Sequence, residues 1–348
     1  MNNQSSGALL SRLWHSYSYI FVFVIIFCVY ALSSNGLTLN AAMNILRHSA
    51  VIGIIALGMG MVCITAEIDL SVGSMLALVS GLSVVVFNVT DSILLTFLFA
   101  VGFGCLCGLL NGVLVGIVKM PSFIVTLATM LIFRSFAQYI CQHIDKSLAG
   151  GGSSVYRMIS KLDMFQPMFS FGNSKFLSLP IVGIMLVLLT ALFVYILEST
   201  KFGKKVYAVG SSYKGAFMAG INVSLMKTMV FVITGGLVGV ASFFWIAMNA
   251  SSDPATTGSS YEMYAIAAVV LGGISMAGGR GRCLGILFGA LSYTVIDKII
   301  IALKMDSLIN DAVKGIILIV VILIQVAGPQ IRERMRVMRA RAQAQHGS

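Results

Sequence analysis

The chain has 348 residues, 58% of them hydrophobic and only 10% charged. Soluble domains carry about 25% charged residues, so this composition excludes an ordinary water-soluble globule and implies an integral membrane protein. Lys and Arg number 23 against 12 Asp and Glu, a formal charge of +11, but they are scattered among apolar runs instead of forming one face with interleaved aromatics, which argues against a nucleic-acid partner and for a role in setting orientation across the bilayer.

A hydrocarbon core of about 30 Å calls for roughly 20 apolar residues in a helix. The first apolar run, 17–33, is long for a signal core and lacks a small-residue cleavage site after it, so it reads as a retained first helix. Runs at 50–65 and 70–89 follow, separated by Glu67-Ile68-Asp69-Leu70-Ser71-Val72-Gly73-Ser74. The two carboxylates there mark either a surface turn or cap, or a broken helix whose charges serve as a gate. Two positions apart, Glu67 and Asp69 do not share a face of a regular helix.

In the fourth run, 93–118, Gly104, Gly108, Gly112 and Gly116 recur at every fourth position, a ridge against which another helix backbone packs closely. Asn111 lies amid this ridge, where it either bonds across helices or lines a path. The fifth run, 122–141, contains Arg134, whose charge within a span requires water or a partner, with Glu67 and Asp69 the candidates. A long loop, 142–176, leads to the sixth run at 177–197.

Segment 198–227 is too polar to span. Within it, Ser211 to Ala219 reads as a short helix capped by Ser211 or Ser212 and ended by Gly220, with Phe217 and Met218 available for an apolar contact. Such a helix suits a docking element; the alternative is a solvated connector. Runs at 228–246, 262–278, 283–303 and 310–327 complete the set, the ninth opening on the close-packing series Gly281, Gly285 and Gly289. Arg280 and Arg282 between the eighth and ninth either fix topology or contact a partner. The expected fold is therefore an all-α membrane protein: one domain over 1–348, comprising a polytopic bundle of ten transmembrane helices over 17–327, a loop at 198–227 and a basic tail at 328–348.

With a cytoplasmic N-terminus, the inside loops hold Arg12, Lys119, Lys201, Lys204, Lys205, Lys214, Lys227, Arg280, Arg282 and the tail arginines, which satisfies the positive-inside rule and puts both termini in the cytoplasm. No Walker A sequence, H-E-x-x-H or G-x-S-x-G occurs, and the histidines are scattered, so no catalytic residue is assigned. The six cysteines include no C-x-x-C pair, and neither a metal site nor a bound cofactor is expected.

Four separated blocks carry a resemblance. They are Glu67 to Ser74; Asn111-Gly112-Val113-Leu114-Val115 running to Pro121-Ser122-Phe123-Ile124-Val125-Thr126-Leu127; Tyr207-Ala208-Val209-Gly210 to Gly220-Ile221-Asn222-Val223; and Ala265 to Gly273 with Gly278-Gly279-Arg280-Gly281. In these blocks the chain resembles a permease subunit of the bacterial sugar ABC importers of the ribose, allose and autoinducer-2 type. Glu67 departs from the pattern, standing where a glycine or similar small residue is expected, and the arginine-rich tail after Pro329 is longer than the minimal pattern.

The resemblance implies an inner-membrane subunit that pairs with a second permease copy, receives sugar from a periplasmic binding protein and docks a separate ATPase that carries ATP and Mg. The segment 207–223 then resembles the coupling element, with Gly210, Ala216, Phe217, Gly220, Ile221 and Asn222 as contacts. An uncharged sugar needs weak hydrogen-bonding groups along its path, for which Ser71, Ser74, Asn111, Thr126 and Thr129 are the candidates; Glu67, Asp69 and Arg134 are gate or structural charges. The competing reading is an ion-coupled secondary transporter using Glu67, Asp69 and Asp297 as coupling carboxylates.

Overall fold

A computed structural model describes residues 19–33, 38–152, 154–303, 312–317, 319–320 and 323. The tail at 328–348 and half of the predicted tenth span, 310–327, lie outside the described residues. Among those described, seven helices are long and apolar enough to cross a membrane: α2 (Leu39–Ile64), α3 (Val72–Thr90), α4 (Ile93–Gly112, extended by a π-helical turn Val113–Ile117), α5 (Ser122–His143), α7 (Ile181–Ser199), α10 (Val223–Asn249) and α12 (Cys283–Ala302). Two shorter apolar helices, α1 (Tyr19–Ser33) and α11 (Tyr261–Leu271), accompany them, with α6 (Phe165–Asn173), α8 (Lys201–Ser211) and α9 (Tyr213–Met218) in the connections. The described strands are two-residue pairs, β1 (Tyr156–Arg157) with β4 (Ser251–Ser252) and β2 (Lys175–Phe176) with β3 (Leu179–Pro180), both antiparallel. The all-α expectation holds.

Apolar on every face over its second half, α2 sits at the centre of the bundle and is buried from Ser49 to Ile64 except at the half-buried Ile52. It begins well before the predicted 50–65, because Thr38 accepts a capping bond from the Ala41 amide and the polar residues Asn40, Asn44, Arg47 and His48 dilute hydropathy without breaking the helix. The glycine ridge of α4 faces α10: a β-carbon on Gly104 would stand 2.3 Å from the Gly235 carbonyl oxygen, and one on Gly108 would stand 2.3 Å from that of Phe231. Larger side chains would hold these two backbones apart. The ridge ends in the π-helical turn, where the Thr228 hydroxyl on α10 donates to the Gly112 carbonyl at 2.9 Å and the Val118 amide to the Val113 carbonyl at 3.0 Å.

Two connections differ from expectation. The eighth span, predicted over 262–278, is an 11-residue helix of about 16 Å, half a hydrocarbon thickness, ended by Gly272 and a positive φ at Gly273. The chain before it, 250–260, returns into the bundle to reach it. The loop 142–176 is likewise partly interior, with Tyr156 fully buried and its hydroxyl donating to the Ala137 carbonyl at 3.1 Å.

Candidate functional site

The helices α2, α4 and α7 finish, and α5, α10 and α12 start, at the end of the bundle that carries α8 and α9. Thr200 opens α8 by accepting from the Gly203 amide at 3.3 Å. That helix was not foreseen from the sequence; its lysines conceal Gly203, Val206 and Val209 on a buried face. Tyr207 donates from its hydroxyl to the Gly281 carbonyl at 2.8 Å, and the Gly279 amide donates to the Ile64 carbonyl at 2.8 Å. The turn before α12 is thus bonded to both α8 and the end of α2, and Gly210 of α8 packs against the same Ile64 carbonyl.

Between α8 and α9 the backbone extends at Ser212, whose hydroxyl accepts from the Gly215 amide at 3.1 Å and caps α9. The predicted Ser211–Ala219 helix is therefore present with Ser212 as its cap, and Gly220, at φ 76°, ends it. Asn222 then caps α10, its side-chain oxygen accepting from the Leu225 amide at 3.0 Å.

The six candidate coupling residues divide. Phe217 is 65% exposed and its neighbour Met218 84%, and both project from the bundle. Gly220 and Asn222 are exposed and Ile221 half-buried, its amide donating to the Ala216 carbonyl at 3.0 Å. Ala216 is 3% exposed, and the Gly210 α-carbon abuts the Ile64 carbonyl and the Gly279 amide. These last two are packed within the protomer, and the side chains of this segment that face outward are those of Phe217 and Met218.

Behind α9 lies the segment 65–71, which turns at Ala66 with φ 62°. It is stitched to α5 by the Ser122 hydroxyl, which accepts from the Ile68 amide at 3.3 Å, and by the Thr126 hydroxyl, which donates to the Ile68 carbonyl at 3.4 Å. Asp69 is fully buried and accepts from both the Ser71 amide (2.9 Å) and the Ser71 hydroxyl (2.6 Å). Asn111 on α4 donates to the same hydroxyl at 2.8 Å, so it bonds across helices as one of its two readings required. Ser74 and Thr129 bond only carbonyls near them in the chain. All five candidate path residues, Ser71, Ser74, Asn111, Thr126 and Thr129, are buried within the protomer, and Ser71, Asn111 and Thr126 converge on this one segment. Among the described residues, two buried acceptors, Asp69 Oδ2 and Asn111 Oδ1, have no hydrogen-bond partner.

The expected pairing of Arg134 with Glu67 or Asp69 does not form. Glu67 is bonded to Lys227 in the first turns of α10, whereas Arg134 donates to the backbone carbonyls of Thr257 (2.7 Å) and Pro254 (3.0 Å). Geometry explains the difference: Ile68 is fixed at Ser122, and Arg134 is twelve residues further along α5, about 18 Å away along the axis. Arg134 instead secures the chain that returns into the bundle before α11, with Asp253 and Glu262 supplying opposite charge nearby. Lys227 and Tyr213 were not singled out in the sequence, where Lys227 read as one of many orientation charges. Among the described residues no group of three His, Cys, Asp or Glu side chains is arranged to hold a metal ion.

The family model for the permease component of branched-chain amino acid transport systems matches residues 41–322. The chain belongs to this permease family. The permease is 35% identical over 304 residues to the ribose import permease protein RbsC of Bacillus subtilis, covering 87% of this chain and 90% of the relative. It is 33% identical over 307 residues to RbsC of Escherichia coli K12, covering 88% and 92%. To the autoinducer 2 import system permease protein LsrC of Salmonella typhi it is 30% identical over 318 residues, covering 91% and 84%. No solved structure matches the permease. It is a multi-pass membrane transport subunit.

Proposed function

We propose that this permease is the transmembrane subunit of an ATP-driven, binding-protein-dependent importer for a sugar or sugar-like molecule of the ribose and autoinducer-2 class. The relatives' functions support the substrate class, and the observation that carries the mechanism is α9: a short, capped helix presenting Phe217 and Met218 outward while its neighbour α8 is bonded to the turn before α12 and packed at Gly210 against the end of α2. An element that is exposed on one side and tied to two spans on the other acts as a lever. Lys119, Lys201, Lys204, Lys205, Lys214, Lys227, Arg280 and Arg282 share this end, which supports its placement in the cytoplasm together with both termini.

In this reading a partner ATPase binds ATP and Mg and docks at α9, and a periplasmic binding protein delivers sugar at the opposite end. A second permease copy completes the path. Helices α4 and α5 expose apolar side chains such as Leu98, Leu109, Phe123 and Leu131, faces that suit lipid or that second copy. Closure of the ATPase pair moves α8 and α9, and the bundle rocks to open its two sides in turn. Family membership supports this reading over ion coupling, and Asp297, one carboxylate the ion-coupled reading needs, is bonded to Lys314 at 2.9 Å. The test is ribose uptake into proteoliposomes containing permease, ATPase and binding protein. Uptake that requires ATP and survives an uncoupler supports the proposal; uptake without the ATPase that collapses with an uncoupler overturns it.

A further inference from the structure

One cluster is not used by docking or by the path residues. Glu67 and Lys227 form an ion pair whose side chains are 15% and 20% exposed, joining the segment after α2 to α10 across 160 positions of sequence. Lys227 Nζ also lies 5.9 Å from the ring centroid of Tyr213, the first residue of α9, within the range of a cation–π contact. Between α9 and the segment 65–71 there is a cleft, lined by Glu67, Lys119, Tyr213, Ser224 and Lys227 among others. Close packing does not fill this space, so a displacement of α9 is carried across it by side chains that bridge it.

On the far side of the bridge the chain is rigidly attached. The Glu67 amide donates to the Val62 carbonyl at 3.1 Å, Ile68 is bonded to Ser122 and Thr126, and Asp69 is linked through Ser71 to Asn111 beside the π-helical turn of α4. A pull on Glu67 therefore reaches α4 and α5 through hydrogen bonds that are already in place. We propose that Tyr213, Lys227 and Glu67 form a strut that transmits movement of α9 to the segment 65–71, making Glu67 and Lys227 positioning residues that touch neither sugar nor ATPase. This inference rests on the proposed docking of an ATPase at α9. It is separate from the α8 route, which acts through backbone contacts of Gly210 with Ile64 and Gly279.

The strut is tested by hydrogen exchange on the assembled permease–ATPase complex, with and without ATP, in wild type and in the Glu67→Gln/Lys227→Met double variant. Removing both charges together leaves no unpaired ion in a half-buried site, which keeps the variant folded. In wild type, ATP should change exchange both in α9 and at 66–71. In the double variant the α9 response should persist while the response at 66–71 falls by about fivefold or more. The conservative Lys227→Arg variant, which keeps a cation both beside Glu67 and over the Tyr213 ring, should retain the response at 66–71, whereas the charge-swapped Glu67→Lys/Lys227→Glu variant, which remakes the ion pair but loses the contact with the ring, should not restore it. A response at 66–71 equal to wild type in the double variant overturns the strut alone. Absence of any α9 response to ATPase and ATP in wild type overturns the docking reading and the strut with it.

Discussion

Gly210 and Ile64 are in backbone contact: a β-carbon on Gly210 would stand 1.7 Å from the Ile64 carbonyl oxygen and 2.7 Å from the Gly279 amide nitrogen. That carbonyl already accepts the Gly279 amide, so the end of α8, the end of α2 and the turn before α12 meet at one point. A side chain here must push all three apart. Gly210→Val is expected to destabilise the permease by about 2–4 kcal/mol, seen as a lower unfolding midpoint in detergent. Gly220 has nothing within 4 Å of its would-be β-carbon and is constrained only by its φ of 76°, so Gly220→Ala is expected to cost about 1 kcal/mol. Equal losses at both positions would contradict this account of α8.

The α4–α10 contact makes a paired prediction. Gly108→Val places a branched side chain against the Phe231 carbonyl and the Gly235 α-carbon and should lower stability by about 2–4 kcal/mol. Gly102, on the same helix, has open space around it, and Gly102→Val should leave the unfolding midpoint nearly unchanged. The two variants in parallel separate a packing effect from a general intolerance of α4.

Asp69 accepts two hydrogen bonds from Ser71 through one oxygen, and its other oxygen has no hydrogen-bond partner among the described residues. Asp69→Asn can keep the accepting oxygen and remove a buried charge, so it should fold with stability close to wild type. Asp69→Ala strands the Ser71 amide and the hydroxyl network leading to Asn111 and should cost about 1–3 kcal/mol. A larger loss in the asparagine variant than in the alanine variant would show that the charge itself holds the segment.

Much of this architecture was legible in the sequence, for identifiable reasons. Hydropathy reports on spans directly, the four-residue glycine spacing is a helix-face signal, and Ser212 with Gly220 bounds α9 through local backbone chemistry. What escaped was set by distant contacts. The apolar run through Ala265 and Leu271 continues past the Gly272-Gly273 break, so hydropathy overestimates α11. The polar stretch 250–260 enters the bundle because Arg134, more than a hundred residues earlier, supplies donors for its carbonyls. The same holds for Lys227 and Glu67, whose register depends on how α10 packs beside α2. Gly210 was recognisable as important but not as interior, because a close backbone approach and an exposed contact both favour glycine.

Removing the Arg134 donors should loosen the chain they hold. In Arg134→Met, the carbonyls of Pro254 and Thr257 lose their side-chain partner, and amide exchange across 253–260 should rise while α2 and α10 remain protected. Unchanged exchange in this segment would assign its position to the β1–β4 pairing instead.

Engagement of an ATPase through the outward face of α9 can be read from the affinity of the detergent-solubilised permease for its partner ATPase, comparing wild type with Phe217→Asp and Met218→Asp. Both side chains are exposed, so neither substitution should move the unfolding midpoint. Each variant is expected to bind the ATPase about tenfold more weakly. ATPase affinity equal to wild type in both variants would contradict that engagement, and α8 and α9 would then be a connector between α7 and α10.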